Sequence, residues 1–232
     1  MQRLDKYLAD AGTGSRSEVK NIIRKGRVTV GGRKETMPDA KVGTGQQVCV
    51  DGRPVTKAPE HVYYLMNKPA GVITATEDRA ERTVLDILPD DLPYITPARR
   101  KKLFPVGRLD KDTEGLLLIT DDGALAHRLL SPKHHVEKEY YARIEGKLCQ
   151  DAERRFELGM DIGDGDKTLP AKLIRISDSE IRVILVEGRF HQVKRMVSAC
   201  GAEVVYLKRV RMGDLTLPQS LSAGMCGYYS RP

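Results

Sequence analysis

The chain has four cysteines, at positions 49, 149, 200 and 226, and no Cys-x-x-Cys pair among them. That spacing argues against a zinc ribbon and offers no disulfide framework. Scattered thiols fit a reducing compartment, where cysteine serves as a small apolar residue. No apolar run approaches the roughly 20 residues needed to span a bilayer. The start, Met1-Gln2-Arg3-Leu4-Asp5-Lys6, lacks the apolar stretch of a secretory signal, so the chain is expected to stay in the cytoplasm and away from membranes. Phosphate-loop and metal-ligand spacings are missing too. What remains is an ordinary globular composition, 40% hydrophobic and 31% charged over 232 residues, enough for one large domain or two smaller ones.

Charge is unevenly placed. Of the formal +7, residues 1–57 hold a surplus of six, with 12 Lys/Arg against 6 Asp/Glu. A cationic first quarter suits a separate module that grips phosphates. Within it, Leu4, Tyr7, Leu8 and Ala11 recur at helical spacing, and Gly12 and Gly14 then break the pattern. Ser15 with Glu18 forms a capping box opening a second helix, whose apolar face is Val19, Ile22 and Ile23 and which Gly26 terminates. Its other face carries Arg16, Lys20, Arg24 and Lys25, with Arg27 just beyond. Val28–Val30 and Gln47–Val50, beside the turn dipeptides Gly31-Gly32 and Asp51-Gly52, predict a small sheet packed on these helices. Arg53–Glu60, with two prolines and no apolar period, reads as a linker.

From His61 onward short β-rich runs alternate with a few helices. Tyr63–Met66, Leu116–Thr120, Tyr140–Ile144 and Ile181–Val186 read as strands. Ala124–Leu130, stopped by Ser131-Pro132, and His191–Ala199, ending near Gly201, read as helices. The order predicts a mixed α+β domain rather than a regular βαβ array. Gly107–Leu117 is a charged, glycine-bounded loop entering a buried strand, able to hold one carboxylate at a sheet edge. Taken without a family, solvated turn charges explain it, and Asp112 and Glu114 keep that reading. His134-His135 is no metal site, because neighbours on a strand face opposite ways and no Cys or His cluster joins them. A glycosidase would need a second acid placed for a water molecule, and nothing in the sequence appoints one.

Arg3–Leu8, Ser15-Arg16-Ser17 and Gly26–Gly32 together resemble the S4-type RNA-binding domain. Gly107-Arg108-Leu109-Asp110 followed by Thr113-x-Gly115-Leu116 resembles the signature loop of pseudouridine synthases. Three further stretches resemble that family's motifs in the same order: Asn67-Lys68-Pro69-x-Gly71, the Lys138-x-Tyr140 motif, and Glu187–Met196. The combination resembles the RsuA/RluB-type branch that modifies ribosomal RNA. The resemblance implies an S4-like RNA-binding domain with linker over 1–57 and a largely antiparallel catalytic domain over 58–232.

It also implies the roles that follow. Asp110 is the carboxylate that attacks the ribose or the uracil so that the base detaches, turns and rejoins through C5. Such a carboxylate must be ionised, which burial opposes and a nearby cation favours, and Lys194 occupies the family's basic position, with Arg195 next in line. Tyr140 stacks on the uracil and takes part in proton transfer. Arg108 fills the gap left when the target nucleotide is flipped out. Arg3, Lys6, Arg16, Lys20, Arg24, Lys25, Arg27, Arg189, His191, Gln192 and Arg195 are expected to contact RNA. The reaction is an isomerisation needing no cofactor and no metal. The expected partner is 16S ribosomal RNA, free or in a pre-ribosomal particle, met by a monomer. A 23S hairpin is the rival substrate. A non-catalytic assembly factor is the rival class, though such a protein has no physical need for Asp110, Tyr140 and Lys194 together.

Overall fold

A computed structural model describes residues 1–55, 59–163 and 165–230. The chain divides into two compact units, Met1–His61 with Asp90–Arg100, and Val62–Pro89 with Lys101–Pro232. Among the described residues no helix is long and apolar enough to cross a membrane.

In the first unit β1 (Gln2–Arg3) leads into α1 (Leu4–Asp10) and α2 (Arg16–Arg24). The capping box of α2 is complete: Ser15 Oγ accepts from the Glu18 N–H while the Glu18 carboxylate accepts from the Ser15 N–H. Its far end closes as a Schellman motif, with Gly26 N–H donating to Ile23 O and Arg27 N–H to Ile22 O. The strands β2 (Val28–Val30), β3 (Arg33–Glu35), β5 (Val48–Val50) and β6 (Arg53–Val55) pair antiparallel in the order β3-β2-β5-β6, and β4 (Lys41–Val42) pairs with β1. Gly31-Gly32 and Asp51-Gly52 turn the two hairpins with positive φ at both positions, as two-residue turns between twisted strands require. Leu4, Leu8, Val19, Ile23, Val28, Val42 and Val48 form the core. A short helix, α3 (Pro97–Arg100), belongs to this unit, and Arg99 donates to the carbonyls of Pro59 and Glu60. The expected linker is corrected in part: residues 53–55 are an edge strand, where Pro54 lacks only an N–H that the sheet does not need. Residues 56–58 lie outside the described residues.

The second unit is built on a mixed, mostly antiparallel sheet. Its elements are β7 (Tyr63–Lys68), β8 (Phe104–Pro105), β9 (Glu114–Thr120), α4 (Gly123–Leu130), β10 (Lys138–Gly146), α5 (Ala152–Leu158), β11 (Lys172–Arg175), β12 (Glu180–Leu185), α6 (Gln192–Ala199), β13 (Ala202–Met212), β14 (Leu215–Thr216) and β15 (Cys226–Tyr228). The main path runs β11-β12-β10-β13-β9-β7-β15, and its one parallel pairing joins β13 to β9. On one face Ala142, Ile144, Ile181 and Val183 meet Phe156 of α5 and Met196 and Val197 of α6. Leu65, Leu116, Leu118 and Met212 meet Leu125 and Ala126 of α4. Alternate residues of β10 and β12 are buried, whereas β9 is buried from Gly115 to Thr120, as expected for a strand covered on both faces. His134 and His135 are not on a strand. Pro132–His134 is a 3-10 turn and His135 follows it in the left-handed region, so the strand argument against a metal there does not hold.

Candidate active site

Asp110 sits on the loop between β8 and β9, and interior bonds to that loop hold it still. The Lys68 side chain, at the end of β7, is fully buried beneath it. Its ammonium donates to the carbonyl oxygens of Asp110 at 3.0 Å, Lys111 at 3.2 Å, Thr113 at 2.9 Å and Pro69 at 3.0 Å. Burial pushes the Lys68 pKa down to about 8, against the opposing pull of Asp112, Asp110 and Glu114. On the flank, Thr74 Oγ1 donates to Leu109 O at 2.8 Å and Gly71 N–H to Lys111 O at 2.8 Å. Thr113 N–H closes the turn on Asp110 O at 3.1 Å.

Gly115 permits the next step. It has φ +104°, and a Cβ there would lie 2.2 Å from the Arg209 carbonyl oxygen. Only glycine lets β9 leave the loop and run directly against β13.

The facing wall is the start of α6. His191, its N-cap, is in the left-handed region at φ 50°, and its Nε2 lies 3.7 Å from Asp110 Oδ1. Lys194, one turn on, places its ammonium 3.4 Å from Asp110 Oδ2. The same ammonium is closer to Asp112, at 2.6 and 2.8 Å. Partial burial works to raise the Asp112 carboxyl, yet the hydrogen bonds from Lys194 prevail and hold it below the ordinary carboxylate value. Asp112 is therefore no free turn charge, and Glu114 accepts from the Tyr206 hydroxyl at 2.8 Å. Tyr140, buried on β10, is the aromatic wall, and Arg108 is exposed at the rim. Arg108, Asp110, Tyr140, Leu185, His191 and Gln192 are among the residues around one cleft of about 80 Å³. A carboxylate, two cationic or ionisable groups and an aromatic ring thus surround a space open to solvent.

The remaining candidates divide by what they already bond. Gln192 is buried: its Oε1 accepts from the Arg189 N–H and its Nε2 donates to Glu187. The Arg189 guanidinium donates to the carbonyls of Asp166 at 3.0 Å and Lys167 at 2.6 Å. Arg195 points away from Asp110, to the carbonyls of Phe190 and Ile162. In the first unit Arg3, Lys6, Arg16, Arg24, Lys25 and Arg27 are exposed and Lys20 is half-buried. Of these Arg3 bonds Asp5 at 3.0 Å and Arg27 bonds Asp51 at 2.8 Å. Lys68 lies in the Asn67–Gly71 motif, which by itself assigns it no task. Its signal was a lone cation closing the otherwise uncharged strand Tyr63–Lys68.

Comparison with known proteins identifies the family. Residues 62–199 match the RNA pseudouridylate synthase family and residues 2–48 match the S4 domain. The chain is 46% identical over 228 residues to an uncharacterized RNA pseudouridine synthase, YtzG, of Bacillus subtilis (strain 168), covering 96% of this chain and 92% of that one. It is 39% identical over 223 residues to the ribosomal small subunit pseudouridine synthase A of Escherichia coli (strain K12), covering 96% and 94%. A crystal structure of a pseudouridylate synthase superposes with a TM-score of 0.67 at 32% identity, covering 99% of this chain and 96% of that one. With a match over most of its catalytic unit and full-length relatives well above 30% identity, the chain belongs to the RNA pseudouridylate synthase family.

Proposed function

We propose that this protein converts one uridine of 16S ribosomal RNA to pseudouridine, with Asp110 as the attacking carboxylate. The observation that carries the reading is that Asp110 and Tyr140 line one cleft from the β8–β9 loop and β10, with the Lys194 ammonium of α6 3.4 Å from the Asp110 carboxylate. Lys194 sets a positive charge beside the group that has to be ionised. Attack at the ribose or at the ring breaks the C1′–N1 bond. The uracil turns between Tyr140 and the cleft wall, the C1′–C5 bond forms, the bond to Asp110 breaks and returns its carboxylate, the C5 proton leaves and N1 takes up a proton. Arg108, exposed at the rim, fills the stack that the flipped nucleotide vacates. The target is assigned to the small subunit because relatives covering nearly the whole chain are named for it. A 23S hairpin is the alternative within the same chemistry. Residues 1–57 act as the phosphate-gripping module and 58–232 as the catalytic domain of a cytoplasmic monomer that meets its RNA free or in a pre-ribosomal particle. In the second unit His191 faces the RNA directly, while Arg189, Gln192 and Arg195 shape the loop that receives it.

The test is tritium release from 16S RNA carrying C5-labelled uridine. The native chain releases label and Asp110→Asn releases none while keeping its RNA affinity. Equal release by the two proteins overturns the role of Asp110.

A further inference from the structure

The chain has three phenylalanines. Phe156 is fully buried and Phe104 half-buried, but Phe190 is 75% exposed. Its exposure is not that of a loose tip. The segment is pinned on both sides: Arg189 N–H donates to Gln192 Oε1 at 2.9 Å, the Arg189 guanidinium binds two carbonyls, and Arg195 Nη1 donates to Phe190 O at 3.2 Å. One face of the Phe190 ring lies on the His191 imidazole, with centroids 3.8 Å apart and planes 18° from parallel. His191 adopts φ 50°, an uncommon conformation for a residue with a side chain, and such strain is held only where the surroundings enforce it. The same imidazole is 3.7 Å from Asp110. A flat apolar ring is therefore held rigidly, one face backed and the other open, one residue away from the catalytic cleft.

We propose that Phe190 is a stacking platform for an unpaired nucleobase directly beside the flipped uridine. The inference rests on the function proposed above and assigns a second subsite to that cleft. Extruding a base leaves its neighbour without a stacking partner, and an aromatic side chain replaces that partner for any base because every base has a π face. A platform of this kind contributes affinity and register for a single-stranded or looped RNA segment.

The test uses the full chain with Phe190→Leu, which stays apolar, and Phe190→Trp, which stays flat. Both sit at an exposed position, so folding is preserved, as a thermal melt verifies. Affinity for a 16S transcript is measured directly, and tritium release gives KM and kcat separately. Phe190→Leu weakens binding and raises KM by about ten- to a hundredfold with kcat little changed, and Phe190→Trp restores both. A fluorescent purine analogue beside the reactive uridine is quenched by the native and Trp proteins and not by Leu. Native-like binding by Phe190→Leu overturns the platform. So does a defect confined to protein-containing subunits, which makes Phe190 a contact for ribosomal protein. A native chain that binds 16S RNA but releases no label sinks the proposed function, while the binding and quenching comparison still decides on Phe190.

Discussion

Replacing Lys68 by methionine removes the group that holds the Asp110 loop and keeps its length and apolar stem. An ammonium has three protons, so three of its four carbonyl contacts are full bonds at any moment. The Asp110 and Lys111 carbonyls keep the Thr113 and Gly71 N–H bonds, so those of Pro69 and Thr113 are the ones left unpaired, at about 1–3 kcal/mol each. Methionine also relieves the burial cost of the charge, which the fall in pKa from 10.5 to about 8 puts at about 3 kcal/mol. The net loss in stability is about 1 kcal/mol, a drop in Tm of roughly 3 °C. Activity falls further than stability, because a shift of Asp110 by about 1 Å costs on the order of a hundredfold in rate. Lys68 titrates at about pH 8 in the folded chain and near 10.5 when unfolded, so between these values the unfolded chain binds more protons. This group's contribution to stability therefore rises with pH across that window. Catalysis moves the other way, since the neutral amine loses a donor and the charge that orders the loop. Tritium release should decline above about pH 8 while the melting temperature does not follow it down. A methionine variant with native Tm and native rate at pH 7 refutes the reasoning, as does a flat rate profile from neutral pH to about pH 9.5.

Gly115→Ala drives a methyl group into the Arg209 carbonyl and forces β9 from β13, costing about 3 kcal/mol or more; calorimetry should show a Tm lower by roughly 10 °C. Lys194→Met leaves Asp110 and Asp112 facing each other without their shared cation, so Asp112→Asn added to it should recover part of the lost rate, and a purely additive cycle counts against that sharing. Exchanging Arg16, Lys20, Arg24 and Lys25 for glutamine in the intact chain should flatten the slope of log affinity against log salt by up to about 3, and an unchanged slope removes the first unit from RNA binding.

Where local chemistry dictates structure, the sequence was readable. The Ser15–Glu18 box, the Gly26 cap and the two hairpin dipeptides act within a few residues, and the structure places them as expected. The strand β13 was not read, although it is central to the sheet. Its run Leu207-Lys208-Arg209-Val210-Arg211 breaks the alternation, because Arg209 is buried to 2% exposure with Nε donating to the Leu116 carbonyl. A buried polar residue bonded to a partner 93 positions away leaves no mark in a periodicity. The same holds for Asp112, whose pairing with Lys194 spans 82 positions. Motif order led to Asp110, Tyr140 and Lys194, whereas the places of Lys68 and His191 beside Asp110 and the pairing of Asp112 with Lys194 needed coordinates.

Those neighbours resolve an apparent contradiction in the loop itself. Gly107–Thr113 is polar and glycine-led, the composition of a mobile turn, yet the nucleophile proposed for it needs to be fixed before substrate arrives. Among its side chains Leu109 and Thr113 are buried, but Arg108, Lys111 and Asp112 are exposed and leave its centre to be held by other means. Its carbonyls provide them, and they point inward to a lysine that no water reaches. The rigidity therefore resides largely in the backbone, and the Asp110 carboxylate, 3.4 Å from the Lys194 ammonium, still lines the cleft. On this argument the loop tolerates exchange of Lys111, whose side chain only pairs with Glu81 at the surface, far better than exchange of the buried Lys68.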